Sequence, residues 1–373
     1  MSATPHQLQY DSLAKPRPWF KSPVHVLALV TAAATFPLIF MGGLVTSHQA
    51  GLAVPDWPNS YGYNMFLFPP RYWVGGVLYE HTHRLMATVV GFLAILLTIA
   101  AWSLEKRPWV RWLATSVLLA VIFQGILGGL RVVFKNLDLA IVHACVAQAF
   151  FCLAASVAVV TSNWWNNAPN LSDRTNRSIF RAAIVTVVII YLQLIVGATM
   201  RHEQAGLSIP DFPLTFGHIL PPAPGAVDNA FRTAAMHNWP DPALSLLAHV
   251  TAWQIYLQFA HRVGAIIVTV AICTLAVMIF RNPARVHLSR LTAVLLILLL
   301  AQITLGILTV LLRKPADIAS LHVAVGALTL VTTFVIAVRS GRLFWPNTTA
   351  VHRPLPAALA MSPSPTLARS PAF

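Results

Sequence analysis

The sequence predicts an all-α integral membrane protein with eight transmembrane helices. Of its 373 residues 57% are hydrophobic and only 10% are charged, which is more apolar side chain than the core of a water-soluble protein can hide. The apolar residues fall into long runs, and Lys and Arg concentrate in alternate segments between them. A backbone inside hydrocarbon has no water to bond, so these runs have to be helices.

Eight apolar windows each approach the roughly 20 residues that a helix needs to cross a bilayer. They cover residues 24–46, 79–102, 111–131, 141–161, 180–200, 256–280, 290–312 and 318–338. The segment before the first window is polar and Pro-rich, and no small-residue cleavage site follows that window, so it is predicted to remain as a span.

The cations indicate the orientation. If the N-terminus is cytoplasmic, the inner segments hold sixteen of the 25 Lys and Arg residues and the outer segments seven. Both termini are therefore predicted to lie in the cytoplasm, with the chain in the cell inner membrane. The formal charge of +14 lies in small groups without a continuous basic face, so no nucleic acid partner is expected. The three Cys residues all lie in apolar runs, which argues against a disulfide framework.

The chain also repeats itself. The segment 49–58 (QAGLAVPDWP) recurs as 204–213 (QAGLSIPDFP) at an offset of 155, and His83-Arg84 recurs as His261-Arg262 at an offset of 178. Two homologous four-helix bundles follow, related by a pseudo-two-fold axis along the membrane normal. The predicted units are a cytoplasmic segment 1–23, a first half 24–161, a cytoplasmic linker 162–179, a second half 180–338 and a cytoplasmic Pro-rich tail 339–373.

Four histidines recur at matched places near the outer ends of the even-numbered helices: His83, His143, His261 and His322. Two imidazoles from facing helices can hold a heme iron from both sides, whereas zinc or copper needs three or four close ligands. A hydrogen bond across helices is the ordinary alternative for any single one of them. Because the set recurs in both halves, heme ligation is the favoured interpretation.

One chemical difference separates the halves. Glu80 lies one turn before His83, and Gln258 takes the equivalent place before His261. A carboxylate beside a macrocycle can act as a base or stabilise positive charge, which makes the first half the candidate reaction site and the second a cofactor site. Pairing of Glu80 with Arg84 is the structural alternative. Arg84 and Arg262 are candidate contacts for heme propionates or else interfacial anchors.

Together these residues resemble the heme A synthase family over about residues 24–338. The resemblance rests on Glu80-x-x-His83-Arg84, His143, His261-Arg262, His322 and the Gly-Leu-x-x-Pro-Asp-aromatic-Pro loops. It implies oxidation of the C8 methyl group of heme O to a formyl group, which gives heme A for terminal oxidases. It further implies that His83 and His143 bind heme O, that Glu80 is catalytic, and that His261 and His322 ligate a heme B cofactor.

The partners expected from this resemblance are the lipid bilayer, heme O with heme O synthase, a membrane electron carrier, the terminal oxidase assembly and a second copy of the chain. A bis-heme membrane cytochrome b, which passes electrons from quinol without modifying heme, would share the four histidines and would not need Glu80. A transporter built on the same parallel repeat is a third class.

Overall fold

Eight long helices make up the fold. The structure, a computed structural model, describes residues 22–169, 171, 174–227, 229–230, 233 and 250–344. The helices are α1 Pro23–Ser47, α2 Gly75–Leu104, α3 Pro108–Phe134, α4 Leu137–Thr161, α5 Arg174–His202, α6 Ala252–Phe280, α7 Ser289–Leu311 and α8 Ala316–Phe344. Each is long and apolar enough to span a bilayer. No strand occurs among the described residues, so the prediction of an all-α integral membrane protein is confirmed.

The helices that carry the histidines begin earlier than their apolar windows. Helix α2 begins at Gly75 rather than near residue 79, and α6 begins at Ala252 rather than near 256. The added turns are residues 75–78 and 252–255, and the second contains Gln254, which forms a capping box with Thr251. Polar residues that find such partners lengthen a helix beyond the part that hydropathy detects.

Two rings of four helices lie side by side. Helices α1 to α4 pack in order, with α4 returning to α1, and α5 to α8 pack in the same way, with α8 returning to α5. The rings meet where α8 contacts α1 and α4, and where α4 contacts α5. The short helix Asn163–Asn166 follows α4 at the predicted linker. The predicted two-fold relation and the domain bounds stay predictions.

The core follows from this arrangement. One cluster of buried apolar residues fills the first ring and another fills the second, and each takes one residue from across the boundary: Ala327 of α8 and Cys152 of α4. In α4 61% of the apolar window is buried, but in α7 only 11% is. Helix α4 therefore has protein on most sides, while α7 presents its apolar side chains to lipid.

Helices α1 and α8 approach closely near their outer ends. A Cβ on Gly43 of α1 would lie 3.0 Å from Cβ of Ser320 in α8. The hydroxyl groups of Ser47 and Ser320 are 3.1 Å apart. Arg201 at the end of α5 donates to the carbonyl oxygen of Gly43, to that of Ala319 and to Oγ of Ser47. One guanidinium thus ties three helices and both rings together.

This contact gives a stability prediction. Gly43→Ala should force α1 away from α8 and lower the free energy of unfolding by about 1–3 kcal/mol, the usual cost of overpacking. Gly91→Ala is the matched control, because a Cβ there meets nothing within 4 Å. Thermal unfolding of the purified chain in detergent measures both. Equal unfolding temperatures for the two variants would show that the helices are not packed as closely as described.

Candidate functional site

The four repeated histidines lie about two turns inside their helices. Each stands six to nine residues after the first residue of α2, α4, α6 or α8, which is roughly 9–14 Å along the helix axis. The sequence predicted them at the helix starts, and the earlier starts of these helices move them deeper. They lie within apolar spans, where an unpartnered imidazole is costly and usually functional.

Each imidazole packs on a glycine of the preceding helix. A Cβ added to these glycines would lie only 2.9–3.2 Å from Cε1 of the ring, which is tighter than nine in ten real Cβ contacts. Glycine therefore lets each ring approach its neighbouring helix this closely. The pairs are Gly42 with His83, Gly128 with His143, Gly197 with His261 and Gly306 with His322.

The surroundings of the ring nitrogens bear on what each ring can bind. Nδ1 is buried in His83, His143 and His322, and no side chain among the described residues bonds to it. In His322, Nε2 lies 3.3 Å from the amide nitrogen of Gln302, so its lone pair points at that amide, and a metal at Nε2 would replace this contact. An imidazole with the proton on Nδ1 and a lone pair on Nε2 is the form that ligates a metal.

The pair in the second ring has a spacing that fits a metal centre. The ring centroids of His261 and His322 are 6.4 Å apart, and the rings are 70° from parallel. Two imidazoles on opposite sides of one metal ion, with bonds of about 2 Å, would place their centroids about 6 Å apart. The described residues contain no group of three His, Cys, Asp or Glu side chains that could hold a bare ion. Paired imidazoles of this kind suit an iron porphyrin, which supplies its own four nitrogens.

Glu80 joins α2 to the first outer loop. It is only 2% exposed. Its Oε2 accepts from the backbone N–H of Val54 at 2.8 Å, and its Oε1 accepts from Arg84 at 2.9 Å. Arg84 also donates to the carbonyl oxygens of Val54, Asp56 and Asn59. The predicted alternative, an ion pair of Glu80 with Arg84, is thus present in the structure.

Gln258 holds the second outer loop in the same way. Its Oε1 accepts from the backbone N–H of Ile209 at 2.5 Å, and its Nε2 donates to the carbonyl oxygen of Gly206 at 3.0 Å. Arg262 donates to the carbonyl oxygens of Ile209, Asp211 and Leu214. Arg84 and Arg262 both donate hydrogen bonds to loop carbonyl oxygens, so in this structure they anchor the loops to their helices. Their predicted role at propionates stays a prediction.

An aspartate shapes each outer loop. The carboxylate of Asp56 accepts from the backbone N–H groups of Tyr61 and Gly62, each at 2.7 Å, and Asp211 accepts from Phe216 and Gly217 at 2.8 Å. In each turn both donor residues have positive φ. Partial burial by itself would raise the pKa of Asp56, but the backbone N–H bonds outweigh it and the pKa lies below its ordinary value.

The first loop packs on α3 next to the first histidine pair. The indole of Trp57 lies so close to Gly129 of α3 that a Cβ there would come within 2.5 Å of the ring. Gly129 follows Gly128, the residue that carries the ring of His143. The corresponding loop residue in the second half, Phe212, has the guanidinium of Arg262 over its ring at 5.8 Å. A large aromatic side chain of the first loop therefore contacts α3 one residue from the seat of His143.

The structure adds residues that sequence reasoning missed. Arg131 was counted only as an outer cation, yet its charge acts on both His83 and His143, and its Nη2 donates to the carbonyl oxygen of Gly51. Its place inside the end of an apolar helix was the available signal. The sequence places His202, His237 and His249 in outer loops, where solvated side chains are expected. His202 is instead the last residue of α5, and its Nδ1 bonds to the carbonyl oxygen of Ala198, whereas His237 and His249 lie outside the described residues.

His81 is two residues from His83, a spacing that predicts opposite sides of a helix, and it does point away from His83. It is fully buried, with its Nδ1 3.2 Å from Oγ of Ser60 and its ring against Phe68 and Trp73. His81 therefore belongs to the packing of the outer loop and not to the histidine pair.

Known proteins resemble this chain over most of its length. The profile of a family described as cytochrome oxidase assembly protein matches residues 71–335. The chain is 30% identical to the heme A synthase of Shouchella clausii over 253 residues, which cover 66% of this chain and 80% of that one. It is 25% identical to the heme A synthase of Shewanella oneidensis over 328 residues, with 83% and 94% covered. A shorter match, 32% over 159 residues, joins it to the heme A synthase of Rickettsia akari.

The Asp56 turn predicts a dependence on pH. Because the native pKa of Asp56 is lowered, its stabilisation of the loop is complete above the unfolded value of about 4 and is lost as pH falls through the native value. Proteolysis of the first loop in reconstituted protein, by a protease active in acid, should therefore rise below about pH 4. Asp56→Asn should be cleaved faster already at neutral pH and should lose the acid transition. A wild-type transition that survives in Asp56→Asn would assign it to another group.

Proposed function

The chain belongs to the cytochrome oxidase assembly protein family, and we propose that it is a heme A synthase, which oxidises the C8 methyl group of heme O to a formyl group. The observation that carries the proposal is the set of two imidazole pairs, each ring seated on a glycine, in a chain whose named relatives are heme A synthases. These relatives favour the enzyme over a membrane cytochrome b.

The two histidine pairs have different roles in this proposal. His83 and His143 bind heme O in the first half, residues 24–161, and His261 and His322 hold heme B in the second, residues 180–338. The centroid spacing of His261 and His322 supports the second assignment. Heme B, when bound, supplies a one-electron redox centre. His83 and His143 are each seated on a glycine, as His261 and His322 are, which supports their action as a pair.

Glu80 is the catalytic candidate because it is the carboxylate beside the substrate pair. When a methyl group is converted to a formyl group and the oxygen atom comes from water, electrons and protons are released. The site therefore needs an electron acceptor, and a group that stabilises positive charge or takes up protons. Glu80 is buried and held in place by Val54 and Arg84. At the equivalent point in the second half Gln258 has no charge, which suits a site that retains its heme unchanged.

The outer ends of both sites are rich in cations that suit propionates. Arg84 and Arg262 are our first candidates, and either would exchange a loop carbonyl for a carboxylate oxygen. Arg131 is a further candidate at the first site, because its charge acts on both His83 and His143. Among the described residues its guanidinium donates one hydrogen bond, from Nη2 to the carbonyl oxygen of Gly51. A planar guanidinium matches a carboxylate with two parallel bonds.

The membrane sets the route of the substrate. Heme O is a large apolar macrocycle, so it partitions into the bilayer and reaches its pair laterally between helices. We propose the cell inner membrane with both termini cytoplasmic, on the asymmetry of Lys and Arg. Heme O synthase, a membrane electron carrier, the terminal oxidase assembly and a second copy of the chain are the proposed partners.

The role of Glu80 has a well-matched test, because Gln258 shows that an amide can make the same loop contact. Glu80→Gln should keep the bond from the N–H of Val54, keep heme bound and reduce heme A formation at least about 100-fold, as for loss of an acid–base group. Gln258→Glu is the control and should change heme A formation far less. Pigments extracted from cells that express each variant measure the result. Normal heme A in Glu80→Gln would remove Glu80 from the reaction.

The specialisation of the pairs is tested by single ligand variants. His261→Ala or His322→Ala should deplete the heme B that is purified with the chain, because one of the two proposed ligands is lost. His83→Ala or His143→Ala should leave that heme B in place and block conversion of heme O. Absorbance in the Soret region and extracted heme types measure both. If all four variants behaved alike, the proposed division between the halves would be wrong.

A further inference from the structure

Each outer loop carries an exposed apolar tip. In the first loop Phe66 and Leu67 lie in the short 3₁₀ helix Met65–Leu67, and Leu67 is 76% exposed. In the second loop Ile219 and Leu220 are exposed, Ile219 by 82%. We call these two pairs the first tip and the second tip. Each tip lies between the glycine of its Asp turn and two consecutive prolines, so the pattern recurs in both halves.

The first tip belongs to a well-packed loop. Phe68, the residue that follows the tip, is only 3% exposed. The centroid of its ring lies 5.1–6.0 Å from those of four other rings: Tyr61, Tyr63, Tyr72 and His81. The side chain of Asn64 caps the 3₁₀ helix by accepting from the N–H of Phe66 at 2.9 Å. The loop thus buries one large apolar side chain and presents its two neighbours outward, so their exposure is a property of the folded loop.

The first tip lies beside α2 and not beyond its end. His81, which the ring of Phe68 contacts, is six residues after Gly75, the first residue of α2, or about 9 Å along the helix axis. Helix α2 has 30 residues and is therefore about 45 Å long, whereas the hydrocarbon of a bilayer is about 30 Å thick. With equal overhang at both ends, the hydrocarbon begins about 7 Å from Gly75. Phe68 therefore lies where the headgroups meet the acyl chains.

The exposed apolar surface of α2 continues into the first tip. Val89 and Phe92 are exposed in the middle of this span, where exposed apolar side chains face lipid. Leu78 is exposed as well and lies three turns before Val89, on the same face of the helix. Val74, just before the helix, is also exposed, and the 3₁₀ helix of the tip contacts α2. The tip thus extends a surface that is already in contact with lipid.

The second tip is attached to α6 at a similar level. The hydroxyl group of Tyr256 donates to the carbonyl oxygen of Pro222, two residues after Leu220, at 3.0 Å. Tyr256 lies four residues after the first residue of α6, or about 6 Å along the axis. Tyr256 and Trp253 are both exposed, and these residue types are enriched where a membrane meets water. The second tip therefore also lies beside the first turns of a span.

We propose that both tips insert into the membrane leaflet on the side of the outer loops, where their side chains contact the acyl chains next to the headgroups. A partner protein is the other occupant that an exposed apolar patch can have. The position beside the spans, the continuity with lipid-facing α2 and the exposed tyrosines at the base of each tip favour lipid. Each loop is then held at two places, at its bond to Glu80 or Gln258 and at the bilayer. This inference concerns the membrane and does not depend on the reaction that the chain catalyses.

The experiment places a fluorescent label at each tip. The full chain, with its three native cysteines replaced by alanine, carries Leu67→Cys or Ile219→Cys, is labelled with the NBD fluorophore and is reconstituted alone in phosphatidylcholine vesicles. A nitroxide on the acyl chain near the headgroup should quench both labels several-fold more than iodide, which is present on both sides of the vesicles. Asp138→Cys is the control, because this exposed acidic residue also lies at the outer end of a span, and iodide should quench its label more strongly.

Stronger quenching by iodide at Leu67→Cys and Ile219→Cys would show tips in water and overturn the proposal. A label that neither quencher reaches would be covered by protein, which would overturn it equally. Immersion of one tip alone would refute the proposal for the other. Should the chain without its cysteines fail to fold, benzoylphenylalanine in place of Phe66 in the otherwise native sequence decides. On irradiation in the same vesicles a phospholipid adduct supports insertion, and its absence refutes it.

Discussion

An imidazole inside an apolar helix bundle has to be satisfied by something, and this requirement governs the site. Water and lipid offer no bonds at that depth, so each ring needs either a protein partner or a ligand between the helices. The chain seats each ring on a glycine, with Cε1 toward the neighbouring helix. Nδ1 of three of the rings is buried without a side-chain partner among the described residues.

The loops supply hydrogen-bond partners for further buried polar side chains at the helix ends. Glu80 and Gln258 are buried polar side chains, and each accepts a hydrogen bond from a backbone N–H group of a loop. The loops in turn keep their shape through Asp56 and Asp211. Polar contacts thus run from the loop through the helix end toward the histidines, and the repeated sequence motif encodes the loop end of that chain.

Much of the fold could be read from the sequence, because hydropathy acts over whole spans and the repeat fixes the order of landmarks. The helix starts were predicted too late, because hydropathy does not detect the turn that Thr251 and Gln254 cap at the start of α6. The histidines were found because they recur. Arg131 was missed for the opposite reason: it departs from the repeat, and a search for matched residues passes over it. What such residues contact depends on tertiary packing.

The same architecture separates what is shared from what is specialised. Glycine seats and Asp turns occur in both halves, whereas Glu80 and Trp57 each occur in one. A doubled scaffold lets one half change its residues while the other keeps its own, since the packing that holds each ring is supplied separately.

The contact between α1 and α8 joins the first helix of the bundle to the last. During synthesis α1 enters the bilayer with its Gly43 face bare, and the helix that covers it is the final one to emerge from the ribosome. The first half therefore waits for the end of translation before its packing is complete. Premature termination after the first half but before α8 would leave that face uncovered, although every residue of the first half had been made.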